Sequence, residues 1–127
     1  FVAGSKANEA YLLSVGSMIY TQDPSSSLVD GLTEAEVKPG VWICEQALWS
    51  QWNHVGTLRA TALCELLEIK SDDFAKAAAD HVVTRQLMFE YCNNFHSALT
   101  SRYERQGDTP DDLKNTVAFN SIIVRMS

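Results

Sequence analysis

Ser5-Lys6-Ala7-Asn8-Glu9-Ala10-Tyr11-Leu12-Leu13-Ser14-Val15-Gly16-Ser17-Met18-Ile19-Tyr20 is the stretch whose period decides the fold class. Ala7, Tyr11, Val15 and Met18 recur every three or four residues, a helical rather than a strand spacing. Ser14, Gly16 and Ser17 interrupt its apolar run, so it does not span a membrane. Residues 21–31 follow with Asp23-Pro24, a serine run and Asp30-Gly31, and read as a loop. Thr33 with Glu36 matches a capping box, and Pro39-Gly40 stops that helix after one or two turns.

Residues 41–53 form the next expected helix, with Trp42, Trp49 and Trp52 on roughly one stripe, read as core packing. Residues 57–69 are a further helix with Leu58, Ala62, Cys64 and Leu66 mostly inward. Ser71 before Asp72-Asp73 is an N-cap with acids in the first turn. The β-branched cluster Val82-Val83-Thr84 marks a break, with Thr84 capping a helix over 85–105 that carries Leu87, Met88, Tyr91, Cys92, Phe95 and Leu99. Thr109-Pro110-Asp111-Asp112 opens a last helix, and only 121–124 offers a candidate strand. The expected fold is all-α, one helical bundle domain of about five to seven helices. It occupies residues 1–127, with 1–32 as a possible N-terminal arm, helix and loop and 33–127 as the core.

The chain has 127 residues, enough for a single domain with its own core, and 46% of them are hydrophobic, which argues against a disordered tail. Because it opens on Phe1, it is expected to be a trimmed or partial chain, with any targeting segment or arm lying outside it. Cys44, Cys64 and Cys92 are odd in number and far apart, a pattern of small buried hydrophobes in a reducing compartment. Ten basic against sixteen acidic residues give a formal charge of −6, which weighs against a nucleic-acid partner for the isolated domain.

Chemistry-bearing patterns are sparse. Cys92 and His96 stand four apart on one helix face, a zinc-compatible spacing that Cys44, Cys64, His54 or His81 could in principle complete. None of these makes a paired motif, so buried cysteines and ordinary histidines are expected, with no metal and no cofactor. No nucleophile–base pair has an orienting third group, so no enzyme is expected. Asp72-Asp73 and Asp111-Asp112 stand at expected helix starts, where acids favour the dipole, and are read as structural. Arg85 in Thr84-Arg85-Gln86-Leu87 adds a guanidinium to the free N–H groups of an expected helix start, a combination that suits phosphate, although an arginine so placed is more often a surface side chain, here with Asp80 as an ion-pair partner.

Three motifs carry a resemblance. They are Thr84-Arg85-Gln86-Leu87-Met88 with Phe89, Tyr91 and Phe95; Pro110-Asp111-Asp112-Leu113-Lys114 leading to Val117-Ala118-Phe119-Asn120; and Pro39-Gly40-Val41-Trp42 running to Val55-Gly56-Thr57-Leu58-Arg59. In order and spacing they resemble the core of coat proteins from flexible filamentous plant RNA viruses, the potexvirus-like and potyvirus-like group. The resemblance implies a coat (nucleocapsid) subunit that polymerises helically as a homo-oligomer and packages single-stranded RNA in a groove without sequence preference. It implies a virion and host-cytoplasm location, with no membrane and no small-molecule substrate. Carried across, Arg85 holds a phosphate, Thr57 supplies a hydroxyl contact, Asn120 stands at the family's aspartate position, and Arg59 and Gln86 are further RNA contacts. Two family tryptophans are absent, with Phe95-His96 and Asp112-Leu113 in their places. Cooperative polymer contacts would offset the acidic balance. The alternative is an all-α protein–protein interaction or adaptor domain without nucleic acid, which explains the negative charge more simply. A small helical enzyme or metal-binding domain rests only on Cys92 and His96.

Overall fold

Met18, Tyr20 and Gln22 are buried while Ile19 and Thr21 between them are only half-buried, an alternation that a strand produces and a helix does not. The computed structural model of the chain describes residues 1–106 and 111–113. Within that span the stretch expected as the first helix is three strands, β1 (Lys6–Ala7), β2 (Glu9–Val15) and the start of β3 (Met18–Gln22). Gly16 separates the last two at φ +103°, a left-handed conformation no helix interior accepts. A Cβ there would also lie 2.5 Å from the Leu63 carbonyl oxygen and 2.7 Å from Cys64 Sγ.

The remaining elements are β4 (Thr33–Val37), β5 (Trp42–Ile43), α1 (Gln46–Trp49), β6 (Trp52–Asn53), β7 (Thr57–Ala60), β8 (Glu65–Lys70), α2 (Ser71–Ala79) and α3 (Val82–Gln106). They form three antiparallel sheets, ordered β1-β6, β5-β2-β8 and β4-β3-β7. In the second, Leu12 pairs with Leu67 and Leu13 with Leu66. The register then slips around Ser14, whose hydroxyl donates to the Glu65 carbonyl at 3.0 Å. In the third, Tyr20 lies between Ala35 on β4 and Leu58 on β7. Strands β2 and β3, from the segment expected to be an arm or helix, are thus the central strands of both three-stranded sheets.

Ala7, Leu13, Met18, Tyr20, Val37, Ile43 and Leu58 meet in one core, so all three sheets share it. A smaller cluster joins Tyr91 and Phe95 of α3 to Trp49 of α1. The Trp49 ring lies 4.4 Å from Tyr91 and 5.3 Å from Phe74 of α2, which packs both longer helices against α1. Burying Phe95 completely contributes roughly 1.5–3 kcal/mol.

The all-α expectation is therefore corrected. The segment around Thr33 and Glu36 is β4; residues 41–53 hold β5, α1 and β6; residues 57–69 hold β7 and most of β8. Short strands joined by turns place apolar side chains at mixed intervals, and over 5–20 these coincide with a helical period. Helices do occur at 71–79 and 82–106, with the break at Asp80-His81 rather than at Val82-Val83-Thr84. Lys70, not Ser71, is the N-cap of α2, and Asp72 and Asp73 sit in its first turn. Residues 111–113 are not helical, and the rest of the expected last helix and the candidate strand 121–124 lie outside the described residues. No helix among the described residues is long and apolar enough to cross a membrane.

Candidate functional site: a buried carboxylate in a ring of donors

Between β6 and β7 the chain turns through His54, Val55 and Gly56, and the turn faces Tyr20 of β3. Gly56 is required there, because a Cβ would fall within the Tyr20 ring. The backbone N–H groups of Val55 and Gly56 both point at one oxygen, Oδ2 of Asp112, each at 3.0 Å. The Tyr20 hydroxyl donates to the same oxygen at 2.6 Å. On Oδ1, Trp52 Nε1 donates at 2.7 Å, His54 Nδ1 lies at 3.1 Å and the Cys44 thiol donates at 3.7 Å. Asp112 is 0% exposed, Cys44 0% and His54 4%.

The main chain around Asp112 is equally engaged. Its N–H donates to the Tyr20 oxygen at 3.1 Å, and its carbonyl accepts from Cys44 N–H at 2.6 Å. Gln46 Nε2 donates to the Asp111 carbonyl at 2.9 Å. Segment 111–113 is thereby docked on the residues that open α1. The Phe1 ring covers His54, stacked at 3.6 Å and 9°.

Electrostatics follow from this geometry. Burial alone would raise the Asp112 carboxyl, but the bonds from His54, Tyr20 and Trp52 outweigh it and hold the group below the ordinary carboxylate range. Burial pushes the Tyr20 phenol up, reinforced by its bond to Asp112. Burial likewise pushes the Cys44 thiol up, with the neighbouring Asp112 charge adding to it. The result is a buried carboxylate held by oriented donors from several strands and turns.

The residues expected to contact RNA lie elsewhere. Arg85 and Gln86 are exposed on α3, and Arg85 N–H is already bonded to the His81 carbonyl at 2.9 Å, so it is not an open donor. Arg59 is exposed on β7, and the Thr57 hydroxyl oxygen accepts from Ala3 N–H at 3.2 Å. None of these four faces Asp112, and Asn120 lies outside the described residues. Cys92 and His96 share α3, with Cys92 half-buried and His96 exposed, while Cys44 and His54 meet Asp112 instead. The three tryptophans do not form a stripe: Trp42 is 40% exposed, Trp49 joins the helices and Trp52 binds Asp112. Sequence reasoning read Asp112 as a structural acid at a helix start and Trp52 as core packing, and gave no site role to Tyr20 or to the amides of Val55 and Gly56. The available signal was a glycine two residues beyond a histidine in an aromatic stretch, which has no distinctive pattern.

No family model matches the chain, and no curated protein matches it. Solved structures do. A cyclic nucleotide-binding-like protein from Brucella abortus bv. 1 str. 9-941 is 24% identical, with a TM-score of 0.50, over 60% of this chain and 63% of that one. The EAL enzyme Bd1971 in its cAMP-bound form is 19% identical, with a TM-score of 0.51, over 79% of this chain and 27% of that one. The chain thus spans less than two thirds of either protein. These neighbours overturn the resemblance to viral coat proteins, and with it the coat subunit, the helical polymer, the single-stranded RNA partner and the exclusion of a small-molecule ligand. The all-α adaptor alternative falls with the helical bundle. The shared feature is the fold, a β-rich roll of the cyclic nucleotide-binding-like type.

Proposed function

We propose that the chain is a ligand-binding regulatory domain that takes a cyclic-nucleotide-type phosphate in the ring of donors now closed on Asp112, and that it binds rather than catalyses. The observation carrying this reading is the convergence of Val55 N–H, Gly56 N–H, Tyr20 O–H, Trp52 N–H and His54 on one carboxylate. Buried donors left without an acceptor cost about 1–3 kcal/mol each, so the ring always holds an anion. A phosphodiester carries the same single negative charge as the carboxylate, so exchange between them leaves the pocket's charge unchanged. Ligand binding is then a competition in which Asp112 lowers the apparent affinity by the fraction of time it occupies the ring.

The same exchange has a route outward. Segment 111–113 holds Cys44 N–H and Gln46 Nε2 at the start of α1, and Trp49 at the other end of α1 packs on Tyr91 of α3. Releasing Asp112 removes both restraints on α1 and so shifts the support of α3.

The test is a titration of the full chain with 3′,5′-cyclic AMP and cyclic GMP in the presence of chelator, following the backbone amide signals of Val55 and Gly56. Wild type is expected to show saturable shifts of both amides, and Asp112→Asn to bind about tenfold more tightly, because the internal competitor is removed. Unchanged amide signals in wild type at millimolar nucleotide reject the reading, whether or not the variant folds.

A further inference from the structure

We propose that Cys44, His54 and Asp112 form a three-ligand site for a divalent cation of the zinc class. This goes beyond the phosphate reading and needs none of it. Three donors of different chemistry converge: Cys44 Sγ to His54 Nδ1 is 3.6 Å, Cys44 Sγ to Asp112 Oδ1 is 3.7 Å, and His54 Nδ1 to Asp112 Oδ1 is 3.1 Å. Zinc bonds of about 2.3 Å to sulfur and about 2.0–2.2 Å to nitrogen and oxygen, at tetrahedral angles, separate the same pairs by about 3.6, 3.6 and 3.4 Å. The triangle is therefore close to one face of a zinc tetrahedron, and a bound ion requires shifts of only a few tenths of an ångström.

Charge agrees with geometry. A thiolate and a carboxylate carry two negative charges into a pocket where no ligand residue is more than 4% exposed. A divalent cation neutralises them, with His54 as the neutral third ligand. Binding replaces the S–H bond of Cys44 by an S–metal bond and the Nδ1–H bond of His54 by an Nδ1–metal bond; the thiol proton goes to solvent and the imidazole proton moves to Nε2, which leaves the ring neutral. Thiolate with imidazole and carboxylate suits zinc rather than the oxygen-seeking calcium or magnesium.

Two further observations fit a built site. Cys44 is the non-glycine residue with positive φ, +59°, among the described residues. A conformation that glycine would adopt without strain is held there by a residue bearing a thiol, and such strain concentrates at functional positions. The carboxylate is also oriented by outer partners: Trp52 Nε1 takes one lone pair of Oδ1, leaving another for a metal, while Tyr20, Val55 and Gly56 fix Oδ2. Cys64 and Cys92 have no place in this arrangement. Cys64 Sγ donates to the Ser17 and Ala62 carbonyls, and Cys92 lies on α3.

The experiment uses the full chain, stripped with chelator, reduced and free of nucleotide, titrated with Co²⁺ as a spectroscopic substitute and separately with Zn²⁺. Expected are a thiolate-to-cobalt charge-transfer band saturating at one equivalent and a rise in Tm with Zn²⁺. Both should be lost in Cys44→Ser and kept in the Cys64→Ser/Cys92→Ser double variant. Because Cys44→Ser can be compared with wild type in chelator, a folding defect is separable from lost metal binding; if it fails to fold, the double variant alone must retain the band. No charge-transfer band in wild type, or a band that survives in Cys44→Ser or disappears in the double variant, overturns the site. Failure here leaves the nucleotide titration, run in chelator, unaffected.

Discussion

The Tyr20 hydroxyl donates to Oδ2 of Asp112 at 2.6 Å and accepts from the Asp112 N–H at 3.1 Å, a reciprocal pair spanning 92 positions of sequence. It fastens segment 111–113 to the middle strand of the β4-β3-β7 sheet. Tyr20→Phe keeps the ring that packs in the core but removes both bonds, one of them to a charged acceptor. The expected loss is about 2–4 kcal/mol, combining a charge-assisted bond with a buried N–H left unpaired. Urea unfolding of wild type and variant measures it. A loss under about 0.5 kcal/mol would show that the pair is not closed in solution.

Gly56 and Tyr20 are complementary in a steric sense as well. A Cβ at position 56 meets the Tyr20 ring, so Gly56→Ala overpacks the site and should cost roughly 1–3 kcal/mol. Removing the ring as well relieves that clash. In Gly56→Ala/Tyr20→Leu the second change should therefore cost clearly less than in the wild-type background, with a coupling of about 1 kcal/mol or more. Strict additivity in denaturant melts would mean that residues 54–56 lie elsewhere.

The acid limb of stability should report on Asp112. Burial opposes its charge, yet the bonds from His54, Tyr20 and Trp52 prevail and lower its value. The ordinary carboxyl value is about 3.9, so below that pH the unfolded chain binds a proton that the folded chain still refuses. Stability contributed by Asp112 is present above that window and is lost as pH falls through it towards the lower folded value. In chelator, Tm should drop more steeply for wild type than for Asp112→Asn over this range. Parallel curves would assign the acid sensitivity to other carboxylates.

What the sequence disclosed was local and helical. Ser71 with Asp72-Asp73 announced α2, and the apolar spacing from Leu87 to Leu99 announced α3, because a helix writes its period into adjacent residues. The β-roll wrote no such period. Strand β2 bends at a bulge beside Ser14, and strands β1, β5 and β6 are two residues each, too short for alternation to register. Only Met18 to Gln22 alternates cleanly, and its buried end is the polar Gln22. The site was less legible still. Its donors come from β3, β6, the turn between β6 and β7 and the residue after β5, and its central acid sits in an Asp111-Asp112 pair that dipole logic explained away. Cys44 and His54 were among the possible metal partners, but pairing them with Asp112 needed the fold.

Trp49 sits at the centre of the smaller packing cluster, between α1 and both longer helices. Its ring touches Tyr91 and Phe74, while its indole N–H donates to Glu45 at 3.3 Å, one residue beyond Cys44. Trp49→Ala removes the aromatic surface that seats α2 and α3, a truncation that in a core costs about 3–5 kcal/mol. Here the loss should be local, because the core of Leu13, Met18, Tyr20 and Leu58 does not include this ring. Amide exchange should accelerate across α2 and α3 while the amides of β2 and β3 keep their protection. If signals pass from the Asp112 ring to α3 through α1, nucleotide binding at Val55 and Gly56 should survive in this variant while its effect on α3 exchange disappears. Loss of protection throughout both sheets would instead make Trp49 part of one indivisible core and remove α1 as the connection.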